Sequence, residues 1–148
     1  MTSPKSPSQT VLVTGASTGI GLEFARQYAV RGWQVIATHR GSRVPENLVR
    51  LAGMHRTVRP ARMDVTRADE IGRLAQTLRD VPLDVLINNA GITHDGNPAS
   101  ERQNLGGFDF ALMEAIYATN VRGPLGVAQA FAAHLERGGG KTLVAIGS

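Results

Sequence analysis

The sequence predicts a doubly wound α/β fold built on a parallel sheet. Short β-branched apolar runs alternate with amphipathic helical stretches, and the first run breaks into glycines that lead straight into a helix. Length agrees: 148 residues, 42% hydrophobic and 19% charged, suit one globular domain with its own core.

The first unit fixes the rest. Val11-Leu12-Val13 reads as a strand, and Gly15, Gly19 and Gly21 follow in G-x-x-x-G-x-G spacing before helical periodicity begins. Such a turn needs residues without Cβ in three places: to bend sharply, to let backbone approach an anion, and to seat helix against strand. The N–H groups of Ser17 to Gly21 then face a ligand at the positive end of the helix dipole, where a pyrophosphate is the natural guest. A glycine-rich turn without a ligand is the alternative, and surrounding context must decide.

Context follows at once. Ile20, Phe24, Tyr28 and Ala29 recur at helical spacing to about Arg31, Gly32 stops the helix, and Trp33 to Thr38 is the next strand, completing a βαβ unit. At the end of that strand a NAD-binding unit carries an acid for the adenosine ribose, but His39 and Arg40 stand here. No Asp or Glu lies between Glu23 and Glu46, and Arg40 with Arg43 can pair with a 2′-phosphate, so NADP(H) is expected over NAD(H). Solvated loop arginines are the alternative.

A loop and short helix over 41–53 precede a third strand, Thr57 to Val65, which places Asp64 at a sheet edge where it can meet an adenine or cap the helix from about Arg67 to Arg79. Leu83 to Gly91 reads as a buried fourth strand ending in two amides, Asn88 and Asn89, that can tie neighbouring backbone; Ala90 and Gly91 leave room for a flat ring or ribose. A polar loop, 92–107, leads to a long helix from Phe108 to about Arg137, with Ile116, Tyr117, Val121, Ala128 and Phe131 among its apolar positions. A kink is expected at Gly123-Pro124. Asn120, on an apolar face, is read as buried and hydrogen-bonded, either as a structural bracket or as part of a site. Gly138 to Gly140 closes this helix, and Lys141 to Gly147 is a fifth strand. Residues 1–9 are a polar tail expected to be disordered, leaving 10–148 as one domain.

Net charge is +4, and fourteen of the sixteen basic residues are arginine, scattered without a basic stripe or interleaved aromatics; a solvated surface is expected, not a nucleic-acid face. Cysteine is absent, which rules out disulfides and Cys-based zinc sites, and no apolar run suggests a signal peptide or membrane span, so the expected setting is cytoplasmic. His39, His55, His94 and His134 show no metal-ligand spacing.

The set Thr14-Gly15-Ala16-Ser17-Thr18-Gly19-Ile20-Gly21, Asp64-Val65, Asn88-Asn89-Ala90-Gly91, Asn120 and Ile146-Gly147-Ser148 resembles the short-chain dehydrogenase/reductase family in order and spacing over residues 10–148. Trp33 to Thr38, Leu83 to Ile92 and Asn120 to Pro124 look most like its C-factor-like and sniffer-like carbonyl reductase branch. The resemblance implies a Rossmann-like fold in which Gly15, Ser17, Thr18, Gly19 and Ile20 line the pyrophosphate, Arg40 the 2′-phosphate, Asp64 and Val65 the adenine, and Asn89, Ala90 and Gly91 the ribose. Many NADP-preferring members carry a basic residue where this chain has Thr18, so the NADP(H) expectation leans on Arg40.

It also implies catalysis by Asn, Ser, Tyr and Lys together, in hydride transfer between a nicotinamide and a small carbonyl or alcohol. Asn120 and Ser148 match two of the four. Tyr28 and Tyr117 are followed four residues later by Gly32 and Val121, so the Tyr-x-x-x-Lys pair is absent and the chain reads as inert alone, truncated after its fifth strand. Two other readings stand beside it: a dinucleotide-binding module without catalysis, and a basic structural or nucleic-acid-associated protein. Homo-oligomerisation is compatible with the first.

Overall fold

Val11, Leu12 and Val13 are all buried, and successive residues turn to opposite faces of the sheet, so a continuous apolar run can feed two cores at once. A computed structural model describes residues 8–93 and 105–147. Strands β1 (Thr10–Val13), β2 (Gln34–His39), β3 (Val58–Arg62), β4 (Val85–Asn88) and β5 (Thr142–Ala145) form one parallel sheet in the order β3-β2-β1-β4-β5. Helices α1 (Gly19–Val30) and α2 (Glu46–Met54) lie among the elements joining the first three strands; α3 (Ala68–Thr77), α4 (Phe110–Tyr117) and α5 (Gly123–Arg137) join the rest. This is the doubly wound, Rossmann-like α/β class that the sequence predicts.

Val11, Val13, Val35, Ala37, Val85 and Ile87 face a core shared with Ala25, Ala29, Leu48 and Leu51 of α1 and α2. Leu12, Ile36 and Leu86 face the other core with Ile71, Leu74, Val127 and Phe131 of α3 and α5. The register Val11↔Val85, Leu12↔Leu86, Val13↔Ile87 keeps like faces together.

Several boundaries differ from the sequence reading. The third and fourth strands are shorter than 57–65 and 83–91, because Met63–Thr66 and Asn89–Gly91 leave the ladder to form turns at the sheet edge. The inner face of α1 is Gly21, Ala25 and Ala29; Ile20 is 62% exposed, because small residues let the helix lie close to the strands and turn its first isoleucine outward. At the other end of α1, Gly32 (φ +80°) turns the chain so that Trp33 N–H donates to Tyr28 O and Gly32 N–H donates to Ala29 O, with the Tyr28 and Trp33 rings edge-on at 4.8 Å, a complete Schellman closure.

The single helix expected over 108–137 is two helices joined by a π-helical turn, Ala118–Arg122, so the irregularity begins before Gly123-Pro124. Tyr117 and Val121, read as apolar core positions, are exposed, whereas Phe131 is fully buried. The tail expectation falls mostly on residues 1–7, and most of the 92–107 loop on residues 94–104, all outside the described residues. Among the described residues no helix is long and apolar enough to cross a membrane.

One buried carboxylate ties the bottom of the sheet. Asp84 Oδ2 accepts Thr10 N–H at 2.8 Å, while its Oδ1 accepts Gly139 and Gly140 N–H at 2.8 and 3.0 Å, so a single side chain satisfies β1, β4 and the turn into β5. Asp84→Ala leaves those donors without a partner and is expected to cost about 3 kcal/mol of unfolding free energy. Asp84→Asn keeps the shape but turns an NH2 toward an N–H and is expected to cost less; urea denaturation of both variants measures the difference.

His134 is buried, and its Nε2 donates to Ala75 O at 3.1 Å. Burial holds its pKa below the ordinary imidazole value of 6.5, and the same cause lowers that of His39. The unfolded chain therefore binds more protons as pH falls through 6.5, and stability present above that value is lost on acidification. Urea midpoints are expected to drop between about pH 7.5 and about pH 5.5, and to drop less in His134→Gln, whose amide can still donate to Ala75 O.

Candidate functional site

In an open parallel sheet, loops part at the carboxyl ends of the strands where the winding direction reverses, and here that point lies between β1 and β4. The two strand ends are tied by side chains. Thr14 Oγ1 accepts the N–H groups of Asn89 and Ala90, each at 3.0 Å, and Asn89 Nδ2 donates to Thr14 O at 3.0 Å and Gly15 O at 3.2 Å. Ala16 N–H bonds to Thr38 O at 2.9 Å, which fixes the glycine turn to β2 as well. Asn88 Nδ2 donates to Pro124 O at 3.1 Å, so both amides that end β4 tie backbone, as their position suggests.

The glycine turn depends on missing Cβ atoms. Gly15 (φ +65°) brings its Cα so close to Ala90 that a Cβ would lie 2.8 Å from Ala90 Cα. Gly19 (φ +56°) has nothing within 4 Å of where a Cβ would point, so its backbone faces open space. A Cβ on Gly21 would collide with Gly15 O and Asn89 Nδ2. Helix α1 starts beside this open face with no side-chain capping bond from Thr18 and no acid in its first turn, so its leading N–H groups keep their capacity for an anion.

A cleft of about 1040 Å3 opens there. Gly15, Ser17, Thr18, Gly19, Ile20, Arg40, Asp64, Val65, Asn89, Ala90 and Gly91 all line it, so eleven positions picked from four separate strand ends converge on one cavity. Arg43 is exposed and lies off the cleft, which separates it from Arg40. Of the two roles open to Asp64, helix capping is not used: α3 has no side-chain cap, and Asp64 Oδ1 instead accepts the N–H and hydroxyl of Thr66 at 2.9 and 2.7 Å. Its own N–H is held by Glu70 Oε2 at 2.9 Å, and Glu70 also pairs with Arg62 at 3.2 Å.

Asn120 is exposed, not buried as expected, because the π turn lifts it toward the loop after β4. Its Oδ1 accepts Ile92 N–H at 2.8 Å and its Nδ2 donates to Ile92 O at 2.7 Å, so the side chain is a bracket on the cleft wall and is itself absent from the lining. Ser148 lies outside the described residues. The sequence reading missed Thr14 and Glu70 as positioning groups, and missed the helix wall of Ala111, Glu114, Ala115, Ala118, Thr119 and Arg122. The helical spacing of that last set was the signal available. Among the described residues no three His, Asp or Glu side chains converge on a metal-sized site.

The profile of the short chain dehydrogenase family matches residues 9–148. The chain is 30% identical over 147 residues to the 3-oxoacyl-acyl-carrier-protein reductase MabA of Mycobacterium tuberculosis, covering 98% of this chain and 53% of that protein. It is 32% identical over 146 residues to sulfoacetaldehyde reductase 2 of Chromohalobacter salexigens, covering 95% and 55%. A short-chain dehydrogenase/reductase from Burkholderia multivorans with bound NADP superposes with a TM-score of 0.77 at 32% identity, over 86% of this chain and 54% of that one. The NADPH-bound carbonyl reductase from chicken fatty liver gives 0.74 at 31%, over 88% and 49%. The chain thus spans about half the length of the curated relatives it matches. With the glycine turn, the strand order and this match along nearly its whole length in agreement, the chain belongs to the short-chain dehydrogenase family.

Proposed function

We propose that these 148 residues form the coenzyme-binding part of an NADP(H)-dependent oxidoreductase acting on a small carbonyl or alcohol. The observation that carries it is the convergence of Gly15 to Ile20, Arg40, Asp64–Val65 and Asn89–Gly91 on one cleft. The residues fit the coenzyme: the open side of Gly19 and the uncapped start of α1 suit a pyrophosphate, and among the described residues Arg40 has no carboxylate partner, leaving its guanidinium to a 2′-phosphate. Asp64 and Val65 take the adenine, and Asn89, Ala90 and Gly91 the ribose side. When bound, the coenzyme is the source or sink of hydride.

The chain's own contribution to the chemistry is positional. Asn120 holds Ile92, and Ser148 is the group for a developing oxyanion. Neither tyrosine has a lysine four residues on, so the proposal is binding without turnover by these residues alone. The carbonyl reductase branch is favoured by Trp33 to Thr38 and Asn120 to Pro124, and the likeness to the chicken enzyme supports it. A cytoplasmic setting, supported by the absence of cysteine, completes the proposal.

Calorimetric titration of the 148-residue chain is expected to show tighter binding of NADPH than of NADH. Arg40→Ala should weaken NADPH by roughly ten- to a hundredfold, the value of one charge-assisted pair, and leave NADH nearly unchanged. Tighter NADH binding by the unaltered chain defeats the NADP(H) assignment, and no binding of either coenzyme defeats the whole reading.

Thr14→Val keeps the volume but strips the acceptor from two backbone N–H groups. It should lower stability by about 2 kcal/mol and weaken both coenzymes together, with Thr14→Ser restoring most of each loss. Equal binding by Thr14→Val would detach the β1–β4 tie from the site.

A further inference from the structure

Among the described residues, Arg40 is not the only guanidinium of the cleft without a carboxylate partner. Ala111, Ala115, Ala118 and Arg122 recur at helical spacing and line one wall, so a stripe of small side chains ends in a cation. Arg122 is exposed, and among the described residues no carboxylate pairs with it; Arg67, the neighbouring cation of the cleft, is by contrast paired with Asp69 and Glu70, each at 3.5 Å.

The next residue places this end of the stripe. A Cβ on Gly123 would lie 2.9 Å from Val65 O and 3.0 Å from Val65 Cγ2, so the backbone immediately after Arg122 rests on the residue that the reading above gives to adenine. Arg40 stands on a different wall, at the end of β2. The alanines leave room for a flat ring. A planar guanidinium matches either the phosphates of a dinucleotide or the face of its base; the reading above gives the 2′-phosphate to Arg40 and the pyrophosphate to the glycine turn, which leaves the base face for the cation beside Val65.

We propose that Arg122 lays its guanidinium over the adenine ring, covering the adenosine end from the helix wall while Asp64 and Val65 hold it from the sheet. This rests on the reading of the cleft as a dinucleotide site. It makes Arg122 a determinant of affinity for the adenosine half shared by both coenzymes, with no part in choosing between them.

The test titrates the 148-residue chain, Arg122→Ala and Arg122→Lys with NADPH, NADH and 5′-AMP, with melting curves as a check on folding. Arg122→Ala should weaken all three ligands by a similar factor, about three- to tenfold. Arg122→Lys, which keeps the charge and stem but loses the plane, should recover little of it. Weakening confined to NADPH, with recovery in Arg122→Lys, would make Arg122 a phosphate partner and overturn the proposal, as would unchanged affinities in Arg122→Ala. If the unaltered chain binds none of the three, the dinucleotide reading itself fails and takes this proposal with it.

Discussion

The Thr14 hydroxyl is the contact on which the carboxyl edge of the sheet depends. Two parallel strands leave the ladder at β1 and β4 and their chains diverge, so the first N–H groups beyond β4 lose their strand partners. Thr14 Oγ1 supplies an acceptor to both, and the Asn89 amide returns two donors to the carbonyls of Thr14 and Gly15. A buried donor left without an acceptor costs more than an ordinary hydrogen bond contributes, so this reciprocal set constrains sequence strongly. It also explains the glycines. The space that a Cβ on Gly21 would need is filled by Asn89 Nδ2 and Gly15 O, the same atoms that close the bracket.

Asp84 does at the amino edge what Thr14 does at the carboxyl edge, and β4 is held at both ends as a result. The strand beyond it differs. Leu143 in β5 is 51% exposed, whereas its register partner Leu86 in β4, and Leu12 in β1, are fully buried. A parallel strand is stabilised by burial on both sides, and the β2-β1-β4 centre that carries the glycine turn and its bracket has it.

What the sequence made legible follows from how local each cause is. Strand β1, the turn and α1 are written in adjacent residues: an apolar run, three glycines, a helical period and Gly32 at its end. The eleven cleft residues were legible because each sits at the end of an apolar run, and parallel topology brings such ends to one edge. What was hidden depends on partners distant in the chain. Asn120 reads as buried when its helix is taken as regular, but the π turn and Ile92, 28 residues away, put it at the surface. Ile20 fits an apolar helical face until Gly21 and Ala25 are seen to set the depth of packing. Nothing near Glu70 in sequence announces that it holds the Asp64 turn.

Charge illustrates the same division. The net +4 is distributed over arginines whose meaning depends on pairing. Arg26 is bound to Glu23, holding that carboxyl down to about 2, Arg50 to Glu46, Arg73 to Asp69 and Arg79 to Asp80, all on solvated surface where such pairs contribute little. Along the cleft the pattern changes: the start of α1 carries no acid, and Arg40 and Arg122 have no carboxylate partner among the described residues. The lining also carries Asp64 and Glu114, so its acids and cations come close to balance, and position matters more than sum: the helix start and the two guanidinium groups stand at separate places along one cavity. Which arginines are already paired, and not the net charge, therefore decides where this edge of the sheet keeps a cation available to an anion.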